Sequence, residues 1–186
     1  MSHKRNDGQT QQKDQARTPP TLFNRLNDRF HFDCDLFADC ENTLCDCYFS
    51  KDEPKGSIHP HSFQNGDDGV RVCMGNALEQ NWPIARYYGN PPYSNPEPYV
   101  KKTRFESRCG GGIVVLLLPA DVSTTWFREH CMKAAEWIII EGRVKFNNPD
   151  GTPMPGSPKF GSIAVVFDRV ERDRNGYIKT SPMKWK

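Results

Sequence analysis

Residues 84–97 read Ile-Ala-Arg-Tyr-Tyr-Gly-Asn-Pro-Pro-Tyr-Ser-Asn-Pro-Glu, and their order decides the fold class. Ile84 to Tyr88 is rich in aromatic and branched side chains, the composition of a short buried strand. Ser94-Asn95-Pro96-Glu97 has the spacing of a capping box with a proline in the first turn, so a helix opens there. Strand, tight loop and helix N-terminus in that order is where open α/β sheets hold ligands, at the carboxyl ends of strands.

The loop itself, Asn90-Pro91-Pro92-Tyr93, is suited to hold a flat amino group. An amine on an aromatic ring is a poor nucleophile because its lone pair is delocalised into the ring. Two acceptors against its two N–H bonds draw it toward tetrahedral geometry and free that pair. The Asn90 side-chain oxygen and the Pro91 carbonyl can supply them, and consecutive prolines fix φ and pre-set the carbonyl directions. Tyr93 offers a face for stacking, worth about 1–3 kcal/mol per base. A bare Asn-Pro-Pro is otherwise a proline-rich turn; the strand before it and the helix after it favour a catalytic loop for methyl transfer to a planar amine.

Working outward, Thr18-Pro19-Pro20 opens an amphipathic helix with Leu22, Phe23, Leu26 and Phe30 at helical spacing. Residues 30–37 form a strand-like run carrying Asp33 and Asp35, with Asp39 just beyond. Residues 50–69 are polar and read as an inserted loop, and 70–74 as a short strand. A helix is expected over 96–108, then a glycine turn at Gly110-Gly111-Gly112, a buried strand over 113–118, a helix over 123–136 and a strand over 137–141. The triple glycine lacks dinucleotide-fingerprint spacing and is assigned no phosphate. Residues 147–162 hold four prolines and three glycines and form a long loop, and loops of that length are often functional. A last strand covers 163–167. Strands alternating with helices imply an α/β sheet with helices on both faces.

At 186 residues the chain is one domain with room for a real core. Residues 1–17 are polar without periodicity and read as a flexible tail, 18–170 as the catalytic domain, and 171–186 as a charged C-terminal tail. The longest apolar run, 113–118, is far short of the roughly 20 residues of a membrane helix, and no signal peptide opens the chain. A net charge of +2 gives no global basic field. Seven cysteines, an odd number without a secretory signal, point to reduced thiols in a cytoplasm. Cys40, Cys45 and Cys47 with His59 and His61 have Cys-x-Cys and His-x-His spacings that do not match paired zinc knuckles. No metal is assigned.

The blocks and their order resemble the phage-encoded, Dam-type DNA N6-adenine methyltransferases. Thr18-Pro19-Pro20 with Leu22-Phe23 and Leu26 comes first, then residues 32–38 (Phe-Asp-Cys-Asp-Leu-Phe-Ala) with Glu41-Asn42, Cys45 and Tyr48-Phe49. Gly89-Asn90-Pro91-Pro92-Tyr93-Ser94 follows, then residues 115–120 (Val-Leu-Leu-Leu-Pro-Ala) with Trp126-Phe127. Residues 142–146 (Gly-Arg-Val-Lys-Phe) and 164–167 (Ala-Val-Val-Phe) close the series.

That resemblance implies a minimal, Rossmann-like S-adenosylmethionine-dependent fold. It also implies methyl transfer to adenine in double-stranded DNA, with Asn90, Pro91, Pro92 and Tyr93 at the chemistry. It places Thr18 at the methionine carboxylate of the cofactor and Asp35 at its amino end, with Asp39 or Asn42 sharing that role. Asn76 stands where some relatives place an acidic residue on the adenine ring of the cofactor. One departure is that residues 36–40 lack the glycine-rich cofactor turn of larger methyltransferases.

The target adenine must be flipped out of the duplex. Arg143 and Lys145 and the 147–162 loop are the expected DNA face, arginine as guanine reader and lysine on phosphate. Trp126 is a wedge candidate or a core residue. No obligate protein partner is evident. The expected setting is the bacterial host cytoplasm, with methylation masking phage DNA from restriction. Two rivals remain open: a methyltransferase acting on RNA or a protein glutamine, and a non-catalytic DNA-binding derivative.

Overall fold

The computed structural model describes residues 14–62, 68–110, 112–156, 158–169 and 177–186. At its centre, strands β5 (Ala85–Gly89) and β6 (Gly112–Pro119) run parallel, Tyr87 opposite Val114. A helix, α2 (Glu97–Arg108), connects them. The glycine before β6 is required. Gly112 has φ +92°, and a Cβ there would fall 1.9 Å from the Ala85 carbonyl oxygen.

On one side of β5 lies β1 (Cys34–Asp35), followed by β2 (Cys47–Tyr48) and β4 (Asp68–Cys73), all parallel. An antiparallel edge strand, β3 (Ile58–Ser62), completes that side. On the other side β8 (Ser162–Phe167) runs antiparallel between β6 and β7 (Glu136–Ile140), and β9 (Lys179–Met183) lies parallel to β7. The order is β3-β4-β2-β1-β5-β6-β8-β7-β9. From β1 the chain builds outward one way, then returns to build the other way from β5. Such a reversal opens a crevice at the carboxyl ends of the two strands.

The central strands are buried on both faces, which is why they read as unbroken apolar runs. Val114, Leu116 and Leu118 share one cluster with Tyr87, Val100 of α2 and Phe127 of α3 (Thr125–His130). Val115 and Leu117 face the other way, against Tyr88 and against Leu22, Phe23 and Leu26 of α1 (Pro20–Phe30). Helices therefore cover both faces. A bidentate pair ties α1 to the sheet: Arg29 Nη1 and Nη2 donate to Glu136 at 2.9 and 2.5 Å, and the Ser181 hydroxyl donates to the same carboxylate at 2.6 Å.

Several expected boundaries move. The run over 30–37 yields only the two residues of β1. Phe30 ends α1, and His31 turns the chain in the left-handed region (φ 52°) with its N–H on the Asn27 carbonyl. The stretch 50–69 carries β3 and the start of β4 rather than a plain loop. The helix expected over 123–136 stops at His130. There the Cys131 carbonyl accepts from Ala134 N–H and from the Trp137 indole, which closes a short 3₁₀ turn and frees Glu136 for β7.

The C-terminal segment supplies β9 and buries Trp185 instead of trailing as a charged tail. Residues 14–17 pack on the crevice, while 1–13 lie outside the described residues. Cys40, Cys45, Cys73, Cys109 and Cys131 are free, but the expectation of reduced thiols fails at one pair. Cys34 and Cys47, opposite one another on β1 and β2, form a disulfide (Cα–Cα 4.5 Å), because parallel register brings their side chains together.

Candidate active site

Asn90 follows the last residue of β5, and the fit of that strand end depends on a glycine. A Cβ on Gly89 would approach Leu116 Cδ2 and Phe37 Cε2 to 2.9 Å, so only glycine lets the Phe37 ring lie against the strand. Phe37 in turn packs edge-on against Tyr99 of α2, centroids 4.9 Å apart. Leu36 N–H donates to the Tyr88 carbonyl at 2.8 Å, holding the residue after Asp35 beside the residues that lead into Asn90.

The Asn90 amide is oriented by the segment expected to be tail. Its Nδ2 donates to the Ala16 carbonyl at 3.0 Å. Its Oδ1 is buried and finds no hydrogen-bond partner among the described residues. A buried acceptor left open is costly unless something else satisfies it. Asp14 anchors the same strap: its carboxylate accepts from Ser94 N–H at 3.0 Å and from the Ser94 hydroxyl at 2.5 Å. Arg17 exchanges both backbone bonds with Asn147, 2.8 and 2.9 Å.

Two cavities meet at Asn90. The smaller is lined by Thr18, Asp35, Phe37, Asn42, Leu44, Tyr88 and residues 14–17, so three of the expected cofactor residues converge with Asn90. Thr18 is buried and shares a 2.6 Å hydrogen bond with the Tyr88 hydroxyl. Asp35 is buried and forms no ion pair among the described residues; its Oδ2 accepts from Leu44 N–H at 3.3 Å. Burial pushes its carboxyl up to about 7, bonds from the Leu44 and Phe37 backbone oppose the shift, and the charge of Asp39 adds to it. Asn42 and Asp39 bond to each other, Nδ2 to Oδ2 at 2.6 Å, while Asn42 Oδ1 accepts from Asp39 N–H at 3.0 Å. That closes a turn whose Asn42 side forms the cavity wall; Asp39 itself does not line it.

The larger cavity, about 620 Å³, opens on the other side of Asn90. Its walls are Pro91 and Tyr93, then Asp121, Thr124 and Trp126 from the segment after β6, and Phe146, Met154, Lys159 and Phe160 from the loop before β8. Tyr93 meets Phe146 edge-on at 5.7 Å. Trp126 thus has a cavity-facing role as well as packing on Phe127.

Other expected residues fall elsewhere. Asn76 spends its side chain on its own turn, donating to Glu79 Oε1 at 2.9 Å and accepting from Leu78 N–H at 3.0 Å, and it lines neither cavity. Arg143 is exposed and donates to the Lys159 and Pro158 carbonyls at 2.7 and 3.2 Å, so it braces the loop that walls the larger cavity. Lys145 is exposed. Of the cysteines and histidines whose spacing was weighed against zinc knuckles, Cys47 is in the disulfide and the side chain of His61 lies outside the described residues. Sequence reading missed Asp14, Ala16, Phe146, Met154 and Phe160 as site residues. The loop's proline and glycine content flagged its region, but nothing in polar residues 14–17 marked them.

No helix among the described residues is long and apolar enough to cross a membrane. A sequence model of the family described as "DNA N-6-adenine-methyltransferase (Dam)" matches residues 72–184, a span that includes Asn90 to Tyr93 and the loop before β8 but not Thr18 or Asp35. Among curated proteins, the DNA N-6-adenine-methyltransferase of Escherichia phage T1 is 31% identical over 166 residues, covering 88% of this chain and 58% of the relative. That of Haemophilus phage HP1 (strain HP1c1) is 39% identical over 96 residues, covering 50% of this chain and 54% of the relative. The chain thus spans little more than half the length of the curated relatives it matches. With the family match extending across most of the sheet and its loops, the chain belongs to the DNA N-6-adenine-methyltransferase (Dam) family.

Proposed function

We propose that this chain methylates the N6 amine of adenine in double-stranded DNA, with S-adenosylmethionine as donor. The observation that carries the reading is the buried, unpartnered Asn90 Oδ1 at the seam of two cavities. The reversal of strand order at β1 and β5 supports a Rossmann-like ligand crevice there.

The residues of the smaller cavity fit the amino-acid end of the donor. Asp35, a buried carboxyl whose burial raises it to about 7, suits an ammonium group, whose charge would favour its ionised form. Thr18 and Asn42 line the same cavity. When bound, S-adenosylmethionine supplies an electrophilic methyl group. Asn90 Oδ1 and the Pro91 carbonyl accept from the adenine amine and hold its lone pair in line. Tyr93 provides a stacking face, and the aromatic wall of Trp126, Phe146 and Phe160 excludes water from a flipped base. The work is orientation by fixed dipoles. The amine proton lost after attack passes to solvent.

Lys145 and the loop before β8 face DNA in this reading, and Arg143 acts through that loop. The phage relatives favour a role in protecting phage DNA from restriction inside the bacterial host. Transfer of labelled methyl to unmethylated duplex DNA, with modified bases identified by mass, tests the proposal. N6-methyladenine is the expected product. Label on RNA or protein alone overturns the substrate, and cofactor binding with no transfer at all overturns the enzyme reading.

A further inference from the structure

In the segments that follow β1 and β2, and on edge strand β3, three side chains from three separate segments converge outside the lining of the two cavities. Cys40 lies in the turn between β1 and β2, Glu53 in the turn after β2, and His59 on β3. Their ligand atoms all lie within 4.8 Å of one another. We propose that Cys40 Sγ, a Glu53 oxygen and His59 Nε2 form a site for a divalent cation of the zinc class, with a fourth position open to water.

The chemistry of the set is a thiolate, a carboxylate and an imidazole, which suits a borderline-soft, tetrahedral dication better than magnesium or calcium, whose ligands are all oxygen. The surroundings are organised as such a site requires. Tyr48, fully buried, donates its hydroxyl to Glu53 Oε2 at 2.5 Å, and Cys40 N–H donates to Glu53 Oε1 at 3.2 Å, so the carboxylate is oriented from two sides. Arg71 donates to the Cys40 carbonyl, fixing the turn. Carboxylates of Asp39, Glu41 and Glu53 put negative charge around Cys40, which attracts a cation. The His59 side chain is 39% exposed and that of Glu53 18%, leaving a path for entry.

Without metal, His59 Nε2 and Glu53 Oε2 share a 2.8 Å hydrogen bond. Binding replaces that bond with two coordinate bonds and requires the Cys40 thiol to release its proton to solvent; a proton on Nε2 also passes to solvent, leaving a neutral imidazole protonated at Nδ1. The consequence for the fold is local. A metal here would pin the 39–43 turn, whose other side presents Asn42 to the smaller cavity. The metal site itself stands whatever the chain methylates.

The test is titration of the chelator-stripped full chain with cobalt(II). A thiolate-to-cobalt charge-transfer band with tetrahedral ligand-field bands, saturating at one metal per chain and displaced by zinc, is expected. Cys40→Ser should abolish the charge-transfer band, and His59→Ala should lower affinity at least about tenfold, while Cys109→Ser, an exposed thiol elsewhere, should change nothing. Tyr48→Phe keeps the ring packing and should weaken binding by about 10–100-fold, the usual effect of removing an outer-shell partner. A featureless spectrum up to millimolar cobalt, or a band that survives Cys40→Ser, overturns the site.

Discussion

Asn90 Nδ2 donates to the Ala16 carbonyl at 3.0 Å, and this one bond decides which end of the amide faces the cavities. A neutral amide can turn over and offer either N–H or oxygen; a backbone carbonyl on one side leaves the oxygen for a ligand amine. Asn90→Ala should therefore lower kcat by about 10²–10³, the scale seen when one preorganised polar group is removed. Cofactor affinity should change little. Equilibrium binding of S-adenosylmethionine, measured by calorimetry beside single-turnover transfer, separates the two; loss of binding would remove Asn90 from the chemistry.

Asp35 gives a pH signature. Its folded carboxyl titrates near 7 against an ordinary 3.8, so the folded state holds this proton more tightly than the unfolded chain does. The stabilisation is complete below about 4 and is lost as pH rises through about 7. Urea unfolding of the ligand-free chain should show a midpoint that falls across that interval through this group. Asp35→Asn should flatten the fall, and an unchanged slope would reject the shift. Affinity for S-adenosylmethionine should rise over the same interval as the carboxylate forms.

Tyr88→Phe leaves the buried Thr18 hydroxyl without its 2.6 Å partner and should cost about 1–3 kcal/mol of stability. Thr18→Val in the same background should recover part of that loss. A double-mutant cycle in urea reads the coupling directly.

Gly89→Ala pushes a methyl against Leu116 and Phe37 at 2.9 Å. Overpacking of this kind costs about 1–3 kcal/mol. Because the displaced strand end carries Asn90, turnover should drop beyond what the stability loss explains, measured at a temperature where the variant remains folded.

Lys145 and Arg143 should behave differently on DNA. Lys145→Ala should reduce the slope of log affinity against log salt by about 1, the mark of one lost phosphate contact. Arg143→Ala removes the 2.7 Å brace on the Lys159 carbonyl and should raise KM for DNA with the salt slope unchanged. Filter binding across a salt series distinguishes them.

What the sequence made legible follows burial. β5, β6 and β8 lie where apolar side chains point to both faces, and their residues announce them within one position of the observed ends. α2 begins within one residue of its expected start, but the expected capping box does not form: Pro96 is the N-cap without a side-chain bond, and the Ser94 hydroxyl donates to Asp14 instead. β1 and β2 span two residues each, too few to show a period. β3 and β9 are edge strands whose Ile58-His59-Pro60 and Ser181-Pro182 stretches bury little, so pairing alone creates them. Residues 14–17 are held by backbone and carboxylate bonds to groups some 74 to 130 positions away, and no local pattern encodes such partners.

Asp14 and Ala16 border both cavities, so neither compartment can be filled without contacting the same short length of backbone. A molecule that stiffens or shifts this strap from one side alters the free energy available to a molecule arriving on the other. Linkage makes that influence reciprocal: whatever factor the first occupant applies to the second, the second applies to the first. Under the proposed assignment, the sites for donor and acceptor are then thermodynamically coupled through this strap as well as through the reacting atoms themselves.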